Sequence, residues 1–177
     1  GTGRGQAKIV RTLGRPDVAR DVLEALMVDR GLRRRFDPAV EREARDSAER
    51  GGHKVPARRD LRDLTTFTID PATAKDFDDA ISAEELGPNA WRVWVHIADV
   101  CAFVEPGSLV EREAYRRATS VYVPGRVEPM LPEALSNDAC SLKHGVPRNA
   151  VTVEIEVFDR LDRALAFATQ GRVTEGK

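Results

Sequence analysis

Hydrophobic and polar positions divide the chain into helical and extended stretches. Trp91–Ala98 alternates, with Trp91, Val93, Val95 and Ile97 on one face and Arg92, Trp94 and His96 on the other. Both faces are substantial, which predicts a central strand. Val151–Phe158 alternates as cleanly, with Val151, Val153, Ile155 and Val157 opposite Thr152, Glu154 and Glu156. A polar turn at Asp159–Arg163 and an apolar stretch at Leu165–Thr169 complete the pattern of an antiparallel hairpin. Thr65–Asp70 reads as a strand that Pro71 ends. Residues 121–132 hold three prolines and cannot form a regular central strand. The segment K-I-V-R-T-L-G, residues 8–14, reads as a short strand closed by a glycine turn.

Helical spacing occupies the rest. Pro16-Asp17 opens a helix with Val18, Val22, Leu23, Leu26 and Met27 on one stripe, stopping near Gly31. Asp37-Pro38 pairs an N-cap residue with proline at the first helical position. The helix it starts is almost wholly polar and ends at Gly51-Gly52, so a weakly anchored surface helix is expected. Ser108-Leu-Val-Glu111 is a capping box for a helix through about Ala118. The sum is an α+β protein: a mixed, largely antiparallel sheet flanked by helices.

One segment resists a purely architectural reading. T-I-D-P-A-T-A-K-D-F-D-D-A puts Asp70, Asp76, Asp78 and Asp79 within ten residues, where the average content of 15 aspartates in 177 residues predicts about one. Each like pair at ~4 Å costs roughly 1 kcal/mol in water and several times that near a protein surface. Full solvation would relieve the repulsion, but Phe67, Ile69, Phe77, Ala80 and Ile81 interleave with the acids. A bound cation is the other relief. Carboxylates are hard ligands that suit Mg²⁺ or Mn²⁺ and not zinc. An EF-hand is excluded because Ala80 follows the adjacent pair Asp78-Asp79. No Walker-type glycine loop occurs. His53, His96 and His144 are too scattered in sequence to suggest a triad, and His96 reads as a packed core residue.

Composition adds bounds. A chain of 177 residues suffices for one domain, and 41% hydrophobic with 32% charged residues describes a soluble one. No apolar run could span a membrane and no secretory signal opens the chain, which begins without Met as a segment of a longer protein would. Cys101 and Cys140 are too few for a zinc knuckle and read as reduced cytosolic thiols, a disulfide being the alternative. Residues 1–63 carry 16 basic and 11 acidic side chains, and residues 64–177 carry 12 and 18. A basic flank of +5 beside an acidic centre of −6 suits a polyanion held by one part and acted on by the other.

The motifs carry a specific resemblance. D60-L-R-D-L-T-T-F-T-I-D70-P-A-T-A-K-D76-F-D78-D79-A-I-S resembles the signature of the RNB catalytic domain of the RNase II / RNase R exoribonuclease family. It continues in family order through V95-H-I-A-D-V100, F103-V-E-P-G-S108, T119-S-V-Y-V-P124, M130-L-P and L135-S-N-D-A-C-S-L142, and weakens at Lys143-His144-Gly145. The resemblance implies three parts: the end of an OB/cold-shock-like domain over 1–14, a helical linker over 15–55, and the N-terminal part of an RNB domain over 56–177. Its core strands would belong to a barrel-like sheet that is only partial here. It implies a processive 3′→5′ hydrolytic exoribonuclease that releases nucleoside 5′-monophosphates from single-stranded RNA with Mg²⁺. Asp70, Asp76, Asp78 and Asp79 match the family's active-site, metal-binding aspartates, with Asp78 the one whose loss most completely abolishes cleavage. Tyr122 matches an RNA-stacking aromatic. A cytoplasmic monomer is implied. Cold-shock and C-terminal RNA-binding domains, and an arginine and a glutamate that complete the site, are expected elsewhere in the full-length protein. The alternatives are a catalytically inactive RNA-binding fragment and a structural metal loop.

Overall fold

A computed structural model describes residues 8–32, 34–53 and 58–158, and the backbone of 165–173. It divides into two units, Gly1–Arg35 and Phe36–Lys177. In the first, helix α1 (Ala19–Asp29) begins after a turn at Pro16-Asp17 and buries Met27. It closes with paired bonds, Leu32 N–H to the Met27 carbonyl and Gly31 N–H to that of Val28. Gly31 takes φ +68°, as such an ending requires. The strand expected over 8–14 does not form, and Ile9 and Val10 stand exposed. An extended segment needs a neighbouring ladder for its backbone groups, and none of the described residues of this unit offers one.

The second unit opens with α2 (Pro38–Glu49), whose Asp37 cap accepts from Ala39 N–H at 2.8 Å. Its few anchors suffice. Val40 and Ala44 enter the core, and Ser47 donates to the Phe103 carbonyl at 2.6 Å. The helix ends as α1 does, with Gly51 N–H on Ala48 O and Gly52 N–H on Ser47 O. Strands β1 (Arg59–Asp60), β2 (Thr66–Phe67), β3 (Asp79–Gly87) and β4 (Ala90–Ala98) follow. Then come α3 (Leu109–Arg117), the hairpin of β5 (Val121–Val123) and β6 (Arg126–Glu128), a π-helical turn at Leu135–Ala139, β7 (Arg148–Phe158) and β8 (Leu165–Val173). Glu43 of α2 reaches α3, where its carboxylate accepts from Leu109 and Val110 N–H at 3.2 and 2.9 Å. Those donors belong to the unpaired first turn of α3, so the polar helix is tied down by a cap supplied from outside that turn. Half of the expected capping box forms, Ser108 Oγ accepting from Glu111 N–H at 3.0 Å, while the Glu111 carboxylate reaches one residue further back and accepts from Gly107 N–H at 3.0 Å.

The main sheet runs β1-β8-β7-β4-β3-β2, antiparallel throughout except for the β1–β8 pair, and it is not closed. This is the incomplete α+β architecture expected, with β4 central and β7–β8 antiparallel. The turn expected at Asp159–Arg163 lies outside the described residues. Two differences matter. The strand expected over 65–70 is only Thr66–Phe67, because the aspartate loop leaves the sheet there. Strand β3 was not foreseen: Ala83, Glu84, Glu85 and Leu86 favour helix intrinsically, and pairing with β4 from Asp79↔Ile97 onward overrides that preference. The proline-rich residues 121–132 form no part of the main sheet and contribute instead the separate β5–β6 hairpin.

One sheet face is buried. Ala80, Ala98 and Ala150 pack with Leu135, Leu142, Val110 and Phe103 in the core. Beside them a polar ladder crosses four strands: Thr66 Oγ1 to Ser82 Oγ at 2.7 Å, Ser82 Oγ to His96 Nε2 at 3.0 Å, and His96 Nδ1 to Thr152 Oγ1 at 2.9 Å. Thr66 spends its hydroxyl proton on the Leu64 carbonyl, so Ser82 must donate to Thr66 and His96 Nε2–H to Ser82. Nδ1 then accepts from Thr152, and the ring is a neutral Nε2–H tautomer. Burial lowers the His96 pKa to about 4.

Two outcomes follow from these contacts. Below the imidazole's ordinary value of 6.5 the unfolded chain takes the proton before the folded one does. Stability is therefore full above about pH 6.5 and falls toward pH 4 by roughly 3 kcal/mol. Urea midpoints at pH 7.5 and 4.5 measure this, and His96→Gln shows a smaller acid loss than the native protein. The second concerns Gly52, at φ +79°, where a Cβ would sit 2.3 Å from the Ala102 carbonyl oxygen. Gly52→Ala lowers stability by about 2–4 kcal/mol in the same measurement.

Candidate active site

The aspartates lie where the sheet ends. Pro71 turns the chain after Asp70, and Ala74 N–H closes that turn on the Pro71 carbonyl at 2.8 Å. The chain rejoins the sheet when Ala98 N–H bonds to the Asp78 carbonyl at 2.8 Å and β3 begins at Asp79. Between these points the loop is pinned from the segment after the π-helical turn. Fully buried Ser141 accepts Phe77 N–H at 3.1 Å and donates to the Lys75 carbonyl at 3.0 Å, and Leu142 N–H bonds to Phe77 O at 2.9 Å. A further buried bond braces the β4 end, where the Arg58 guanidinium pairs with Asp99. Asp99 N–H in turn reaches the Asn149 carbonyl of β7 at 3.0 Å.

Around this frame the predicted residues gather unevenly. Partial burial raises the pKa of Asp78, and the charges of Asp76, Asp79 and Asp70, in that order, raise it further. Asp78 as a residue is open to solvent, while Asp70 and Asp79 are also exposed and Asp76 is half-buried. The Tyr122 hydroxyl donates to Asp76 Oδ2 at 2.9 Å, a bond that leads the rise in the tyrosine's own pKa. The Tyr122 ring is otherwise 65% exposed. None of the four aspartates pairs with a lysine or arginine among the described residues. No three carboxylates there are drawn into one coordination shell.

The donor chemistry nevertheless fits a hard divalent cation. Mg²⁺ binds through one or two carboxylates and fills its other positions with water and phosphate oxygens, so an open group of acids suits it better than a closed cage would. Two rival chemistries fail. His96 is sealed in the core, and burial, reinforced by the charges of Asp78 and Asp99, pushes the Cys140 thiol up to about 12, leaving it a poor nucleophile. Both cysteines are free thiols. Sequence reasoning found every acid of the cluster. It named Ser141 and Leu142 only as the end of a motif and gave Arg58 no role, because their contacts with the aspartate loop and with Asp99 span 41 to 66 residues.

Fold and site together describe a domain that presents crowded carboxylates at an open sheet end. The RNB domain family model matches residues 58–164, more than half the chain, and the chain belongs to that family. Its relatives include Ribonuclease R of Thermotoga maritima, 41% identical over 97% of this chain and 24% of that protein. Ribonuclease R of Acidithiobacillus ferrooxidans is 42% identical over 94% of this chain and 38% of that protein. Mycoplasma genitalium RNase R, solved in complex with ribose-methylated single-stranded RNA, superposes with a TM-score of 0.80 at 35% identity. That match covers 93% of this chain and 26% of the other. The chain thus spans well under half the length of the relatives it matches.

In metal-free protein, Asp76→Asn lowers the Asp78 pKa but leaves it raised above the ordinary carboxylate value, because burial, the leading cause, remains. A carboxyl-carbon NMR titration reads the shift.

Proposed function

We infer that the full-length protein is an exoribonuclease that hydrolyses single-stranded RNA from its 3′ end and releases nucleoside 5′-monophosphates with Mg²⁺, Mn²⁺ serving in its place. Membership of a family whose relatives are named ribonucleases supports the reading. The observation that carries it is the Asp78 carboxyl, crowded by three other carboxylates with no cationic side chain among the described residues to offset them. Asp70, Asp76, Asp78 and Asp79 would hold the metal. In a two-metal arrangement, one bound ion would lower the pKa of the attacking water and the other would stabilise the leaving oxygen of an in-line displacement at phosphorus.

The chain's own residues do the rest. The Asp76 bond to the Tyr122 hydroxyl sets the ring's direction while leaving its face open. A base stacked there gains ~1–3 kcal/mol irrespective of its identity, as a sequence-independent enzyme needs. We place the protein in the cytoplasm as a monomer. No helix among the described residues is long and apolar enough to cross a membrane.

A second reading holds for the 177-residue chain by itself. With no arginine or lysine paired to the cluster, developing phosphoryl charge lacks a stabilising partner among the described residues. Loss of one such group costs ~10²–10³ in rate. The isolated chain is then an RNA-binding fragment of little activity.

One set of assays on 5′-labelled RNA tests both. Asp78→Asn in the full-length protein lowers cleavage by about 10³-fold or more and changes RNA affinity by less than about threefold. Normal turnover by that variant refutes the role given to Asp78. The isolated chain with Mg²⁺ gives no ladder of shortened products, and a ladder refutes the second reading.

A further inference from the structure

We propose that Ser141 is a positioning residue for the metal-binding aspartates, a clamp that sets Asp76 and Asp78 through the backbone between them. The inference rests on the reading that these aspartates hold the metal. Ser141 lies about as far from solvent as a residue can, fully buried beside Cys140 and Leu142. Its hydroxyl makes two bonds of opposite sense to the loop, accepting Phe77 N–H and donating to the Lys75 carbonyl. Those two residues bracket Asp76, and Asp78 follows directly.

The bonds on either side make the arrangement stiff. Leu142 N–H holds the Phe77 carbonyl, so Phe77 is fixed at both its donor and its acceptor. Ser141 is itself held from behind, because Arg148 Nε donates to its carbonyl at 2.8 Å. Arg148 leads into β7, which pairs with β4, and β4 takes the Asp78 carbonyl through Ala98. The circuit closes: sheet to Arg148, to Ser141, to the loop, and back to the sheet.

A hydroxyl is suited to this position. It can donate and accept at once, which no apolar residue can, and it needs a buried site in which both partners are backbone groups of fixed direction. Without it, the part-buried bonds to Phe77 N–H and Lys75 O are lost, and the backbone on either side of Asp76 is freed from the segment at 141–142. Movement of that backbone displaces two of the carboxylates against the others. An active-site constellation tolerates little such displacement.

The test uses the full-length protein. Its first readout is Mn²⁺ binding followed by electron paramagnetic resonance, and its second is the Mg²⁺ concentration giving half-maximal cleavage. Ser141→Ala weakens both by about tenfold or more, leaves RNA affinity in the absence of metal unchanged, and speeds amide exchange at Phe77 and Asp78. Thr152→Val serves as the control, since it removes a buried hydroxyl away from the loop. It lowers the melting temperature without shifting either metal readout. Ser141→Cys, of nearly the same volume and weaker hydrogen bonding, falls between native and alanine, and replaces the alanine variant if that one folds poorly.

Two results overturn the clamp. One is a Ser141 variant that loses melting temperature as Thr152→Val does while binding Mn²⁺ as the native protein does. The other is accelerated exchange spread over the whole sheet with none specific to the loop. If Asp78→Asn leaves Mn²⁺ binding unchanged, the metal reading itself has failed and the inference falls with it, a result distinguishable from the first two.

Discussion

The four aspartates between Asp70 and Asp79 repel one another, and their loop keeps its shape only because the backbone beneath them is held from elsewhere. Asp78 is bonded through its carbonyl to β4, and Phe77 through both its peptide groups to the segment at 141–142. These bonds involve no charge, so they do not neutralise the carboxylates. The repulsion is contained and not cancelled. That distinguishes the cluster from the ion pairs on the sheet, where Arg92 and Arg59 offset part of the charge of Glu84, Glu154 and Glu156. Uncompensated negative charge is what the proposed metal role would require of the site.

The same sheet supplies the rigid base. β4 is paired along both edges, and its inward side carries Trp94, His96 and Ala98. His96 satisfies both ring nitrogens with hydroxyls and the chain of donors runs in one direction to the Leu64 carbonyl. A directed chain of this kind has a single low-energy proton arrangement, and it ties β2, β3, β4 and β7 into one register. Asp78 and Asp79 take their places from backbone pairing, the Asp78 carbonyl on Ala98 N–H and Asp79 opposite Ile97, and not from the side chains of the ladder.

What sequence showed and what it hid divide along the range of the interactions. The alternation of Trp91–Ala98 and Val151–Phe158, the serine cap at Ser108 and the cap at Asp37 are local patterns, and each formed as read. The aspartates were legible because crowding in sequence is crowding in space. Strand β3 was hidden because Ala80 and Ser82, its inward residues, are too small to show as a hydrophobic alternation, and its remaining residues prefer helix. The 8–14 segment failed in the opposite direction, having strand-like residues and no strand partner among the described residues. Helix α2 has few apolar anchors, and its docking depends on Glu43 reaching residues 66 and 67 positions away. None of these outcomes is written in a window of ten residues.

The outer face of the sheet follows the same logic. Trp91 and Ile97 on β4 and Val151 and Val157 on β7 are exposed in register, opposite the buried ladder. Alternation told which residues share that face, but it could not tell which of two substantial faces would be the buried one. The polar ladder allows the choice without deciding it. A histidine and three hydroxyls can be interior only where they find one another, and only the Trp94–His96 side of β4 places Ser82 and Thr152 opposite the imidazole. Turning the sheet over would leave those groups wet and strand no hydrogen bond, yet it would also take Ala80, Ala98 and Ala150 from the helices they pack against. The small residues settle the matter, since only an alanine-lined end lets Leu135 and Leu142 approach closely enough for the segment at 141–142 to reach the loop that carries the aspartates.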